Sequence, residues 1–117
     1  MRRKVDISEK DSKQEEAFMS ISPNIMKVLS DITGQSRVDL AIHDIIRDAI
    51  EHRLEKIYIE IKGLEDKYLM SFKEFDLKFQ SELIPDQFSH SVEKDYLEWE
   101  GLVSRRRKLE EILRYII

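Results

Sequence analysis

The spacing of hydrophobic positions changes along the chain, and each change predicts an element. Between residues 16 and 22, Ala17, Met19 and Ile21 alternate with Phe18, Ser20 and Ser22. That is the period-2 pattern of a half-buried strand. From Pro23 the spacing becomes helical. Ser22-Pro23 reads as an N-cap with proline at the first helical position, Ile25, Val28, Leu29 and Ile32 share one face to about Thr33, and Gly34 suits a left-handed C-cap. Ser36, with Asp39 three residues on, opens a second helix whose first part is broadly apolar through Val38, Ala41, Ile42, Ile45, Ile46, Ala49 and Ile50. The stripe then narrows to Ile50, Leu54, Ile57, Ile61, Leu64 and Tyr68, the seam of a coiled coil or helix hairpin, with Gly63 a weak point inside it.

That second helix is expected to end near Leu69, because Ser71 and Glu74 form a fresh capping box. A short helix over 72–82 carries Phe72, Phe75 and Phe79 on one side, and Ile84-Pro85-Asp86 breaks it. Ser89 or Ser91 starts a last helix with the stripe Val92, Tyr96, Trp99, Leu102, Val103, Leu109, Ile112, Leu113 and Ile116. Residues 1–14 have no periodicity and read as a flexible basic arm. A lone strand needs a ladder partner for its backbone groups. No other segment supplies one, so the pattern predicts pairing with the same segment of a second copy, hence a homodimer.

Composition narrows the class. The chain has 117 residues, 38% charged and 41% hydrophobic, too apolar for general disorder and too polar for a large compact core. With only three glycines and two prolines, the elements should be long. The absence of cysteine excludes disulfides and thiolate chemistry and fits a reducing cytoplasm. No apolar run is long enough to span a membrane, and the polar start lacks the apolar core of a signal peptide. The net charge of -4 is uneven: Arg2, Arg3 and Lys4 and the run Arg105, Arg106, Arg107 and Lys108 flank an acidic body suited to a basic partner.

Catalysis finds little footing. His43, His52 and His90 are dispersed, and the first two stand nine positions apart on one helix, which does not bring two ligands side by side. Asp44 with Asp48 and Glu51 with Glu55 are ordinary for a solvated helix face. There is no glycine-rich phosphate loop and no nucleophile elbow. The expectation is a protein that is not an enzyme, with no catalytic residue, metal, cofactor or small-molecule substrate.

The order strand, Ser-Pro cap, ten-residue helix, Gly34-Gln35-Ser36-Arg37 turn and amphipathic helix through Ala41–Ile50 resembles the ribbon-helix-helix DNA-binding dimers. The resemblance implies a mostly α fold: an N-terminal ribbon-helix-helix dimer over 15–53 with one short intermolecular β-strand pair, a long second helix and a C-terminal helical hairpin within 54–117. It also implies operator DNA as a partner. Ser36 and Arg37 would hold a phosphate at a helix N-terminus, Ser20 and Ser22 would reach base edges, and Arg2, Arg3 and Lys4 would add affinity from the arm.

The second half has its own resemblance. Lys67–Phe75, Ile84–Ser89 and Val92–Glu100, with the run Glu93-Lys94-Asp95-Tyr96-Leu97-Glu98-Trp99-Glu100, are similar to the C-terminal region of small prokaryotic antitoxins. This implies a cognate toxin held by Phe72, Phe75, Phe79, Tyr96, Trp99 and Leu102, residue types that anchor interfaces. The leading expectation is therefore an antitoxin that neutralises a toxin and autoregulates on DNA. The alternative is a dimeric helical structural or adaptor protein without DNA binding, favoured by Glu16 and Phe18 at the outward strand positions. Salt-dependent DNA binding that needs Arg37 separates the two.

Overall fold

A computed structural model describes residues 21–116. They form four helices: α1 (Pro23–Thr33), α2 (Val38–Tyr68), α3 (Phe72–Gln80) and α4 (His90–Ile116). Local chemistry sets most of the boundaries. Ser22, extended at φ -61 and ψ 149, accepts a hydrogen bond from the Ile25 N–H on its Oγ, and Pro23 follows at the first helical position. Gly34, at φ 71, closes α1 by donating its N–H to the Ser30 carbonyl at 2.8 Å. A side chain there would be strained. Ser71 and Ser89 cap α3 and α4 in the same way, their hydroxyls accepting from the N–H groups of Glu74 and Val92.

The expected ribbon is not part of this architecture. Most of the strand predicted over 16–22 lies outside the described residues, but its end does not: Ile21 and Ser22 pair with no other strand, and Ser22 is committed to capping α1. Among the described residues there is no strand at all. The fold is corrected from a ribbon-helix-helix dimer with an intermolecular β-strand pair to an all-helical arrangement of the described residues. Seven residues of alternation are weak evidence, because a strand exists only through a ladder. Arg2, Arg3, Lys4 and Ser20 lie outside the described residues.

The chain divides into two units, residues 1–45 and 46–117. In the first, Ala41 is the one buried hydrophobic among the described residues, and α1 buries nothing. The helix expected from Ser36 starts at Val38 instead, with the Ala41 N–H bonded to the Arg37 carbonyl at 3.0 Å.

The second unit is a hairpin of the later part of α2 and α4, with α3 packed at its closed end. The seam expected from spacing is its buried stripe: Ile50, Leu54, Ile57 and Ile61 join Phe75, Ile84, Trp99 and Leu109 in one core, with Leu64 and Tyr68 packed against it. α3 ends at Gln80, earlier than Pro85 would require. Glu82 and Asp86 adopt left-handed backbone, and the turn between them is held from inside by the buried Gln87. Its amide donates to the Phe79 carbonyl at 3.1 Å while its oxygen accepts the Ile84 N–H at 3.2 Å. No helix among the described residues is long and apolar enough to cross a membrane.

Helix α2 is unbroken through Gly63, whose missing side chain would meet no atom within 4 Å. Gly63→Ala is expected to stabilise the protein by about 0.5–1 kcal/mol in chemical denaturation, because it removes backbone entropy from the unfolded chain without creating a clash. An unchanged or lower midpoint would contradict this account of α2.

Candidate protein-binding surface

The aromatic residues singled out in the sequence converge, but inward. Trp99 and Phe75 are fully buried, with ring centroids 5.0 Å apart. Phe72 lies 5.5 Å and Tyr68 5.9 Å from Trp99, and Phe79 stacks on Tyr96 at 4.2 Å. Leu102 is half-buried against the same core. These side chains lock α2, α3 and α4 of the second unit to one another. Trp99 and Phe75, expected to meet a toxin, are unavailable to any partner that binds the folded unit. The helical stripe was legible in the sequence, but its direction was not.

Polar residues that the sequence reading missed fasten the same cluster. The Asp95 carboxylate accepts hydrogen bonds from the Tyr68 hydroxyl and from the Lys67 ammonium, both at 2.5 Å, tying α4 to α2. Asp76 accepts from the Tyr96 hydroxyl at 2.5 Å, tying α3 to α4, and Gln80 donates to the same hydroxyl at 3.2 Å. The signal for Asp95 was present: it stands three residues after Val92 and four before Trp99, on the inward stripe. A carboxylate there requires donors. Burial raises the Asp95 pKa, yet the hydrogen bonds from Lys67 and Tyr68 outweigh it and hold the group below the usual carboxylate value. Burial first, and then the bond to Asp95, push the Tyr68 hydroxyl well up. Tyr96 is pushed up to about 12, chiefly by its bond to Asp76.

The surface of the second unit is electrically divided. From Glu60 to Glu100 there are eleven Asp and Glu against five Lys, whereas segments 46–59 and 102–116 together carry eight Arg and Lys against five Asp and Glu. The acidic half contains a shallow groove of about 740 Å³ between α2 and α4, lined by Gly63, Leu64, Gly101 and Leu102 and flanked by Glu60, Lys67, Asp95 and Glu98. It also displays Leu69, Leu77, Leu83, Phe88 and Leu97, each more than 60% exposed. Helical spacing marks Leu77 as outward, opposite Phe75; the exposure of Leu83 and Phe88 depends on a turn that spacing does not describe.

Of the residues expected to meet DNA, Ser22, Ser36 and Arg37 are described. Ser22 is a helix cap, Ser36 lies exposed in the turn, and the Arg37 guanidinium grips the Asp39 carboxylate through two hydrogen bonds, at 2.7 and 3.2 Å. Among the described residues no group of three or more His, Asp or Glu could hold a metal ion.

The Asp95–Tyr68 pair makes stability dependent on pH in a defined way. A carboxylate whose folded pKa is depressed contributes stability above its unfolded value near 3.9, and that contribution disappears as pH falls through the folded value. Asp95→Asn is therefore expected to cost about 1–3 kcal/mol at neutral pH and to flatten the loss of stability below about pH 4. Denaturant midpoints measured from pH 7 to 2 check this; an acid profile identical to that of the unaltered chain would refute the assignment.

No curated protein and no solved structure matches the chain. A family model does, over residues 19–116, which include every described residue, and the protein belongs to that family, described as the Uncharacterized protein MJ0235 family.

Proposed function

We propose that this chain is a cytoplasmic, non-enzymatic binding protein of the antitoxin type, which pairs with a second copy and neutralises a toxin by direct contact through its second unit. One observation carries the reading: the second unit completes its own core and turns an acidic half outward, with eight exposed and three half-buried carboxylates against five exposed lysines between Glu60 and Glu100. A body of this kind can dock a basic protein without ordering itself first, so little of the binding energy is spent on folding. The antitoxin-like pattern in Lys67–Glu100 supports the same reading. Operator binding through a strand pair is not part of it, because the described chain is helical.

The toxin-binding half is tested with the protein encoded beside this chain. Co-expression should yield a complex that survives purification and should abolish the growth defect which the neighbour causes alone. A neighbour that is harmless, or that stays toxic and separates from the chain, sinks the proposal.

Support for the pairing of copies comes from the first unit. Helix α1 buries no side chain, and Ile25, Val28 and Ile32 on its apolar face are 52%, 48% and 66% exposed. An isolated helix of 11 residues is marginal in water, and its stability must come from packing. A second α1 laid on this face would supply it. Light scattering should give twice the 14.0 kDa chain mass, and Ile25→Asp with Ile32→Asp should return a monomer; a monomeric unaltered chain at roughly 100 μM, far above the Kd of stable dimers, would refute the pairing.

A further inference from the structure

We propose that the groove between α2 and α4 of the second unit is where the partner protein docks, laying a basic helix against Gly63 and Gly101. This rests on the antitoxin reading and gives it a contact surface in place of the buried Trp99 and Phe75.

The first observation is the pair of glycines. Gly63 lies inside α2 and Gly101 inside α4, and one stands in each wall of the same groove. Glycine weakens the interior of a helix, because it gives up the most backbone freedom on folding. Nothing in the unit requires it at either position. Neither glycine has a positive φ, and a Cβ added to either would meet no atom within 4 Å. A turn and tight internal packing are thereby both excluded as reasons for them. What the two share is the groove, where bare backbone on both walls lets another chain approach closely.

The second observation is the chemistry of the walls. Leu64 and Leu102, both half-buried, give the groove an apolar lining. Around them stand three carboxylates, Glu60, Asp95 and Glu98, and one lysine, Lys67. Lys67 donates to Asp95, so that pair cancels and the groove keeps the charge of Glu60 and Glu98. Lys94 approaches Glu98 only to 3.7 Å, with both side chains exposed. That is too far for a hydrogen bond, and such a contact gives way readily to a better partner.

Shape and charge together select the occupant. The lining runs for about two turns of each helix, from Glu60 to Lys67 on α2 and from Asp95 to Leu102 on α4. A groove of that form between two helices takes a third helix, packed against both. Glu60 on one wall and Glu98 on the other favour Lys or Arg on either flank of its apolar face. The same carboxylates repel nucleic acid and an anionic membrane. Helix α1 of a second copy, with one lysine and one aspartate, lacks the matching charge.

The test uses the full-length chain and the protein encoded beside it, with affinity measured by calorimetry and folding by thermal denaturation. Gly63→Met/Gly101→Met fills the groove with good helix formers. It should leave the thermal midpoint unchanged or higher and weaken binding roughly 100-fold, as loss of a central contact does. Gly63→Ala/Gly101→Ala, which favours the helices as much but fills less space, should weaken binding less. Glu60→Gln/Glu98→Gln keeps the shape, and should weaken binding about tenfold and flatten its salt dependence. Leu77→Ser, at an exposed position on α3, should leave affinity unchanged. A double methionine variant that folds and binds as tightly as the unaltered chain overturns the groove and leaves the antitoxin reading standing. Binding unchanged or tightened in the double glutamine variant overturns the basic helix as occupant. A midpoint lowered by alanine at the two glycines overturns the proposal as well, since they would then serve the fold. So does a dimer that dissociates in the methionine variant, because the groove would then hold a second copy. An unaltered chain that does not bind its neighbour overturns both this inference and the antitoxin reading.

Discussion

The second unit depends on the burial of Trp99. Its ring meets Tyr68 of α2 and Phe72 and Phe75 of α3 at 5.9, 5.5 and 5.0 Å, so one side chain of α4 holds both other helices. The arrangement has a cost, because the indole Nε1–H is buried without an acceptor, a loss of about 1–3 kcal/mol. Three ring pairs at about 0.5–1.5 kcal/mol each, beyond their area burial, are enough to offset it. The balance is narrow without the area term and comfortable with it, since burying a side chain of this size adds more than about 2 kcal/mol.

Around that apolar centre the polar groups act as clasps. Asp95 and Asp76 are each satisfied by a tyrosine hydroxyl from a different helix, and Gln87 satisfies two backbone groups of the turn that α3 leaves open. They add direction that aromatic packing lacks, because a carboxylate accepting a hydroxyl at 2.5 Å fixes the rotation of both helices. The surface pairs are of another kind. Lys62–Asp66 and Lys94–Glu98 are exposed i,i+4 contacts, screened by solvent and salt, and add little to stability.

These two layers account for the inward side chains of the second unit. The core and its clasps use the inward faces of α2, α3 and α4, and large side chains such as Ile59, Leu77 and Leu97 face outward from the same helices. Among the described residues of the first unit, α1 has an apolar face and no buried side chain, which is why association with a second copy is proposed there.

How much of this was legible in the sequence follows from the range of each interaction. Helix ends were readable because caps act over three or four residues: Ser22, Gly34, Ser71 and Ser89 do what their neighbours imply. The seam from Ile50 to Tyr68 was readable because helical spacing is a local property. The strand over 16–22 was misjudged because its pattern is local but its existence requires a distant ladder. Trp99 was assigned to a partner for a related reason: spacing places it on a stripe without saying whether the stripe meets another protein or the helix folded back against it. The place of Asp95 on the stripe called for donors that only α2 identifies, and Asp76 and Gln87 had no visible role until Tyr96 of α4 and the turn after α3 supplied their partners. The sequence by itself determined where helices begin and end and which face of each is apolar, whereas the tertiary structure decided which of those faces are spent on the core, because burial is fixed by residues far apart in the chain.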